Sequence, residues 1–311
     1  MIEIFKNKTT VDFVKLFPVA GPISAVLVLL SLFFIFRQIT FGVDFKGGAE
    51  IQLRFSPTSK VTIDQIRSVL DSTGNARTAI VQSLSDEIMS SEKAPEFLVK
   101  ASAGQEENLN PVTDAIGLAL QKSFVEEGIE IVKVDIVGPK AGETLRNAGI
   151  LSLFWALIII MIYIWLRFDF EFSPGAILAL IHDVLITLGV FSLFRLEFSL
   201  QTVAALLTVI GYSVNDTVII YDRIRENFAQ AKGSLEETLN LSINQTLSRT
   251  ILTAGTTLIV SLIMFFMAGK GLRDFFLAIS LGIVVGTYSS IFLAAPITLW
   301  LRQLSKRRKK A

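Results

Sequence analysis

Six apolar stretches constrain this chain more than any other feature. They run over approximately 17–36, 147–166, 174–194, 200–221, 250–268 and 275–300. Each is long enough to cross about 30 Å of hydrocarbon as a helix rising 1.5 Å per residue. A chain that is 51% hydrophobic with so many spans is an integral membrane protein. Lys6, Lys8 and Lys15 precede the first stretch, Arg223, Arg225 and Lys232 separate the fourth from the fifth, and SKRRKK (305–310) follows the last. The positive-inside bias puts these segments in the cytoplasm, and an even number of spans agrees with both termini lying there. No small-residue cleavage site follows the first run, so it is expected to be a retained helix. The domains expected are a cytoplasmic N-terminus (1–16), a first helix (17–36), an outer domain (37–146), a five-helix bundle (147–301) and a basic tail (302–311).

The segment 37–146 is too polar for a membrane and too patterned for a linker. GAEIQLRF (48–55) alternates as a half-buried strand. VTIDQIRSVLDSTG (61–74) has helical spacing, with Thr62 and Gln65 as a capping box and Gly74 as a stop. Strand-like RTAIVQSL (77–84) and PEFLVKAS (95–102) follow, then a helix over 110–128 and a strand over 129–137. The fold class is therefore a polytopic α-helical membrane protein with six transmembrane helices. Between the first two it carries a small ferredoxin-like α+β domain of order β-α-β-β-α-β. Two helices would cover one face of its sheet and leave the other free to bind.

Absent residue types exclude whole chemistries. There is no cysteine and a single histidine, so thiol nucleophiles, disulfides and Cys/His zinc sites are out. AGKGLRD (268–274) lacks the glycine spacing and the Ser or Thr of a phosphate-binding loop, and neither G-x-S-x-G nor H-E-x-x-H occurs. Asp183 and Asp216 raise the reading of a membrane aspartyl protease, but a carboxylate dyad leaves Arg249 without a role. Neither an enzyme nor a cofactor is indicated, and a net charge of +1 gives no reason to expect nucleic acid.

Polar groups recur at one depth in three spans. His182 and Asp183 lie about 12–13 Å into the third helix, Asp216 about 9 Å from the end of the fourth. If the fifth helix starts at a capping box of Ser242 and Gln245, Arg249 is roughly 10 Å in. An isolated charge at a helix centre costs about 2.5–3.5 kcal/mol, so Asp216 and Arg249 are expected to face the bundle interior and each other. A carboxylate balanced between burial and a cation can change protonation when the cation moves, which makes Asp216 and Arg249 a candidate proton relay. The alternative is a permanent pair acting as helix glue, with Arg249 or with Arg223. His182, Asp183, Ser213 and Asn215 are supporting polar groups. Thr246, Thr250, Thr253 and Thr257 share a helix face with Arg249, for interhelical hydrogen bonding more than conduction. Gly282 and Gly286 form a small-xxx-small packing motif, and Pro296 lies within the last span, where neighbouring helices can accommodate a kink.

These strings together resemble a known family. GVDFKGG (42–48), His182-Asp183, GYSVNDTVIIYDRIREN (211–227) and SRTILTAGTT (248–257) are similar to SecF proteins of the SecD/SecF protein-export family, itself related to the resistance-nodulation-division exporters. The family commonly has Thr where Ala49 stands. The resemblance implies an accessory subunit of the bacterial inner membrane that pairs with SecD and associates with YajC and the SecYEG channel. It would use the proton-motive force late in export, after SecA has pushed the unfolded preprotein. It also implies proton passage at the positions of Asp216 and Arg249. Gly42, Asp44, Phe45, Gly47 and Gly48 are expected to form a hinge or seat between bundle and outer domain, since glycines permit a sharp turn. A proton-driven exporter of small molecules or lipids, and a purely structural subunit, are the other two readings.

Overall fold

The chain leaves the bundle after its first helix, builds the α+β domain, and returns beside the point where it left. The structure, a computed structural model, describes residues 10–72, 79–84, 94–102, 110–168, 172–230 and 234–308. Lys6, Lys8, Gly74, Lys232 and the end of the basic tail lie outside the described residues.

Helix α1 (Phe13–Gln38) starts at Asp12, whose carboxylate accepts the Lys15 N–H. A two-residue strand β1 (Thr40–Phe41) and a single turn α2 (Val43–Lys46) lead into β2 (Gly48–Arg54). Then follow α3 (Ile63–Ser72), β3 (Ile80–Ser83), β4 (Glu96–Ser102), α4 (Asn110–Ser123) and β5 (Glu130–Val137). The strands pair antiparallel in the order β3-β4-β2-β5, the ferredoxin-like arrangement. Thr62 and Gln65 form the expected capping box, at 2.8 and 3.4 Å. Ile51 and Leu53 of β2 are fully buried against Ile66 and Leu70 of α3 and Ile116 and Leu120 of α4. The alternate residues Glu50 and Gln52 necessarily occupy the opposite face. That face is not free, as the alternation suggested: it looks onto the bundle, where Lys100 of β4 meets Glu197 at 2.5 Å.

Five helical segments complete the bundle: α5 (Pro139–Arg167), α6 (Ser173–Leu193), α7 (Leu200–Gln230), α8 (Leu235–Met267) and α9 (Lys270–Ser289), which a π-turn (Ser290–Ala294) joins to α10 (Ala295–Arg308). Among the described residues six helical stretches are thus long and apolar enough to cross a membrane, with α9 through α10 forming the last. Half or more of the apolar window of α6, α7 and the last span is buried, against less than a fifth in α1, α5 and α8. The first three therefore form the inner layer. Gly282 lets α9 approach Val209 of α7, and Gly286 lets it approach Ser213, so both glycines of the small-residue motif serve close packing. The π-turn precedes Pro296, whose ring cannot donate to the turn before it, and a widened turn accommodates that break.

The fourth and fifth helices are longer than their apolar cores. α8 begins at Ser234, where a capping box with Glu237 closes at 2.9 and 3.2 Å, and not at Ser242. Ser242 and Gln245 instead accept hydrogen bonds from Asn227, each at 2.9 Å, and so fasten α7 to α8.

The glycine-rich stretch joins domain to bundle. β1 pairs in parallel with β6 (Glu197–Phe198), and Gly42 N–H donates to the Phe198 carbonyl at 2.9 Å. Asp44 accepts the Leu200 N–H at 3.2 Å, capping α7. Phe45 is buried among Phe198, Val203 and Leu206. Gly47 has φ +78°, and a Cβ there would lie 2.7 Å from Pro139 Cα. Gly47→Ala is accordingly expected to destabilise the folded chain by at least about 1–2 kcal/mol from the left-handed backbone alone. Thermal unfolding in detergent measures this; an unchanged midpoint would mean that the crossing relaxes freely.

Candidate functional site within the bundle

Helix α7 presents two polar strips, and they differ in how well they are satisfied. On the first, Ser213, Thr217 and Tyr221 recur at helical spacing toward α6 and the last span. Ser213 donates to Asp183 Oδ2 at 2.7 Å. Thr217 donates to Ser290 Oγ at 3.1 Å, and the Tyr221 hydroxyl lies 3.1 Å from the Ala294 carbonyl and 2.9 Å from Thr298 Oγ1. Asp183 is the centre of this strip. It is wholly buried and also receives the Ser289 hydroxyl at 2.8 Å, while its Oδ1 shares a hydrogen bond with His182 Nδ1 at 2.9 Å. Three helical segments thus converge on one saturated carboxylate.

The second strip faces α8 and is short of partners. Asp216 is wholly buried, yet among the described residues its Oδ2 has no hydrogen bond and its Oδ1 has only the Asn215 amide at 3.5 Å. Among the described residues Thr250 Oγ1 across on α8 is also buried without a partner, and Tyr212 OH, one turn away, lies against Thr253 and Thr257 without a hydrogen bond of ordinary geometry. A carboxylate left this way inside a bundle is expensive, and such groups persist where they are used.

The expected contact between Asp216 and Arg249 is corrected by the structure. No hydrogen bond or ion pair joins them; Arg249 acts on the carboxylate through space, and it stands on the exposed flank of α8. Their heights agree: Asp216 lies fourteen residues before the end of α7 and Arg249 fourteen after the start of α8, on either side of one hairpin. The expectation failed because helical spacing puts Arg249 on one face with the threonines but does not say which way that face turns. Asn215 and Gly211 are exposed beside it, and a Cβ at Gly211 or Gly255 would meet open space.

The threonines answer the expectation in part. Thr246, Thr253 and Thr257 turn their hydroxyls back onto carbonyls of their own helix at 3.0–3.1 Å, while Thr253 and Thr257 also lie against the Tyr212 hydroxyl of α7. Thr250 alone of the four is buried and unsatisfied. His182 keeps Nδ1 on Asp183 and has no partner at Nε2 among the described residues. The sequence reading missed Ser289, Ser290, Tyr212 and Thr298. A Ser-Ser pair six residues before an intramembrane proline was the signal that would have found the first two.

A six-span bundle with an α+β domain after its first span, holding a buried and unsatisfied carboxylate, defines a polytopic membrane protein. Comparison with known proteins gives its family. The model for the C-terminal region of SecD/SecF protein-export membrane proteins matches residues 118–304, and that for the SecD/SecF GG motif matches residues 32–59. The chain belongs to the SecD/SecF family, in its SecF branch. It is 40% identical over 298 residues to protein translocase subunit SecF of Rickettsia rickettsii, covering 95% of this chain and 93% of that one. With the Rhodothermus marinus subunit of the same name it shares 41% over 320 residues, 99% of this chain and 98% of the other. Its fold is similar to the crystal structure of SecDF, a translocon-associated membrane protein from Thermus thermophilus, with a TM-score of 0.80 and 35% identity. That likeness covers 96% of this chain but only 39% of the solved one.

Proposed function

We propose that this chain is a subunit of the bacterial protein translocase that, with a SecD partner, uses the proton-motive force to promote late stages of preprotein export. The unsatisfied, buried Asp216 carries the reading. In a purely structural bundle that carboxylate would be saturated, as Asp183 is, or replaced by an apolar residue. The partner's membrane helices cover the α7–α8 flank at Gly211, Asn215 and Arg249, so the carboxylate lies just inside a subunit interface. Protons arriving from the side of the α+β domain neutralise Asp216 and remove the through-space attraction of Arg249. The helices then shift. A charge crossing the membrane gains roughly 2.3 kcal/mol per 100 mV, so a few protons suffice to drive a domain motion.

In this reading the domain is periplasmic, both termini are cytoplasmic, and the membrane is the bacterial inner membrane. The segment from Gly42 to Gly48 is the seat on which the domain tilts while it holds an emerging chain. SecYEG, YajC and, indirectly, SecA are the surrounding machinery. His182 and Asp183 serve as a structural node and not as relay groups, because both oxygens of Asp183 are engaged. The test is gradient-dependent release of a preprotein from membrane vesicles, comparing wild type with Asp216→Asn at equal amounts of assembled complex.

A further inference from the structure

The helix-free face of the sheet and the roof of the bundle enclose a polar cavity of about 680 Å³, lined among others by Glu50, Lys133, Asp135, Arg195 and Asp274. One cation closes it. Lys100 Nζ on β4 lies 2.5 Å from Glu197 on β6, which belongs to the bundle, and 3.3 Å from Glu50 on its own sheet. Burial opposes the Lys100 charge, but the Glu197 and Glu50 carboxylates outweigh it and raise the pKa of the ammonium group, so the bridge is intact at neutral pH.

We infer that Lys100 is a releasable clasp that sets the tilt of the α+β domain on the bundle. It rests on the reading that this domain moves during transport. The two backbone crossings lie together, with Gly47 against Pro139, and Phe45 seals them in an apolar pocket with Phe198, Val203 and Leu206. That side acts as the fixed side. Lys100 lies in register with Glu50, two residues along β2 from Gly48, so it borders the crossing but is held by charge alone. When the domain lifts, Lys100 keeps Glu50 and Glu197 turns into the polar cavity, so neither charge is left in an apolar setting. A clasp of this kind parts far more readily than the aromatic seat beside it. A small opening there becomes a large displacement at the far end of the sheet.

The experiment uses the complete complex in membranes, with spin labels at Gln82→Cys and Arg195→Cys. These positions line opposite walls of the cavity and leave Lys100 and Glu197 native. The chain has no other cysteine. With Lys100 present and no gradient, one narrow distance is expected. Lys100→Ala should lengthen and broaden it, Lys100→Arg should keep it narrow, and imposing a gradient on the native complex should populate the longer distance. A distribution that neither Lys100→Ala nor the gradient changes overturns the clasp, whatever the export assay shows. As a second readout, Lys100→Cys/Glu197→Cys is tied with a reducible bifunctional thiol reagent. Gradient-dependent release should fall at least fivefold and return on reduction; undiminished release from the tied complex also overturns the proposal. If wild-type vesicles show no gradient-dependent release, the transport reading fails, and the distance measurement still decides the clasp.

Discussion

Asp183→Ala is expected to destabilise the bundle by about 2–5 kcal/mol and to lower the amount of assembled protein several-fold. The substitution leaves Ser213 without its acceptor and His182 Nδ1 without its partner, while Ser289 retains the Gly286 carbonyl. An orphaned buried donor costs roughly 1–3 kcal/mol, and hydrogen bonds between membrane helices measure about 0.6–1.7 kcal/mol each, so two lost partners and a vacated volume reach that range. Asp183→Asn separates structure from charge. The amide oxygen can accept both serine hydroxyls and the amide nitrogen can donate to His182 Nδ1, so thermal stability and export should both stay near wild type. A folded Asp183→Asn complex that loses gradient-driven release would move Asp183 from node to relay. Thermal unfolding of the purified complex and the vesicle assay decide between them.

The contrast between Asp183 and Asp216 shows what a sequence can and cannot disclose. Hydropathy located the six spans, and alternation with the Thr62–Gln65 capping box ordered the α+β domain, because both depend on neighbours along the chain. The ends of α7 and α8 were not visible to hydropathy. Their last and first turns, YDRIRENFAQ and SLEETLNLSINQ, are polar but helical, and only the Ser234–Glu237 box marks the true start. Both aspartates stood out as costly residues. Which one was saturated depended on the rotation of three helices about their axes, which brings Ser213 of α7 and Ser289 of α9 onto Asp183. No local pattern encodes that rotation. Arg249 failed for the same reason: residue spacing puts it on one face with the threonines, but the rotation that turns it to the exposed flank of α8 is not local. The free sheet face failed likewise, since alternation shows that Glu50 and Lys100 point away from the helices but not that the bundle lies beneath them.

Asp216→Asn is expected to leave the complex assembled and stable while removing the gradient-dependent part of preprotein release, a loss of at least tenfold. Stability should change little because Asp216 gives up so little: a 3.5 Å contact from Asn215 and a through-space interaction with Arg249. A neutral amide of the same shape even relieves the cost of a buried charge, so a modest gain in melting temperature is consistent with the geometry. The function is another matter, since asparagine cannot take up and release a proton. Arg249→Ala, measured alongside, should also lose gradient dependence while the melting temperature stays put, because no hydrogen bond or ion pair goes with it. The two substitutions together should cost no more than either alone, as expected for groups acting in one step. Retention of gradient-driven release in an assembled Asp216→Asn complex would remove this carboxylate from the relay and shift coupling to the partner's helices. The unsatisfied Oδ2, closed off inside this chain, would then be a packing cost that is relieved only where α7 and α8 part, which a structure of the complete assembly would display directly.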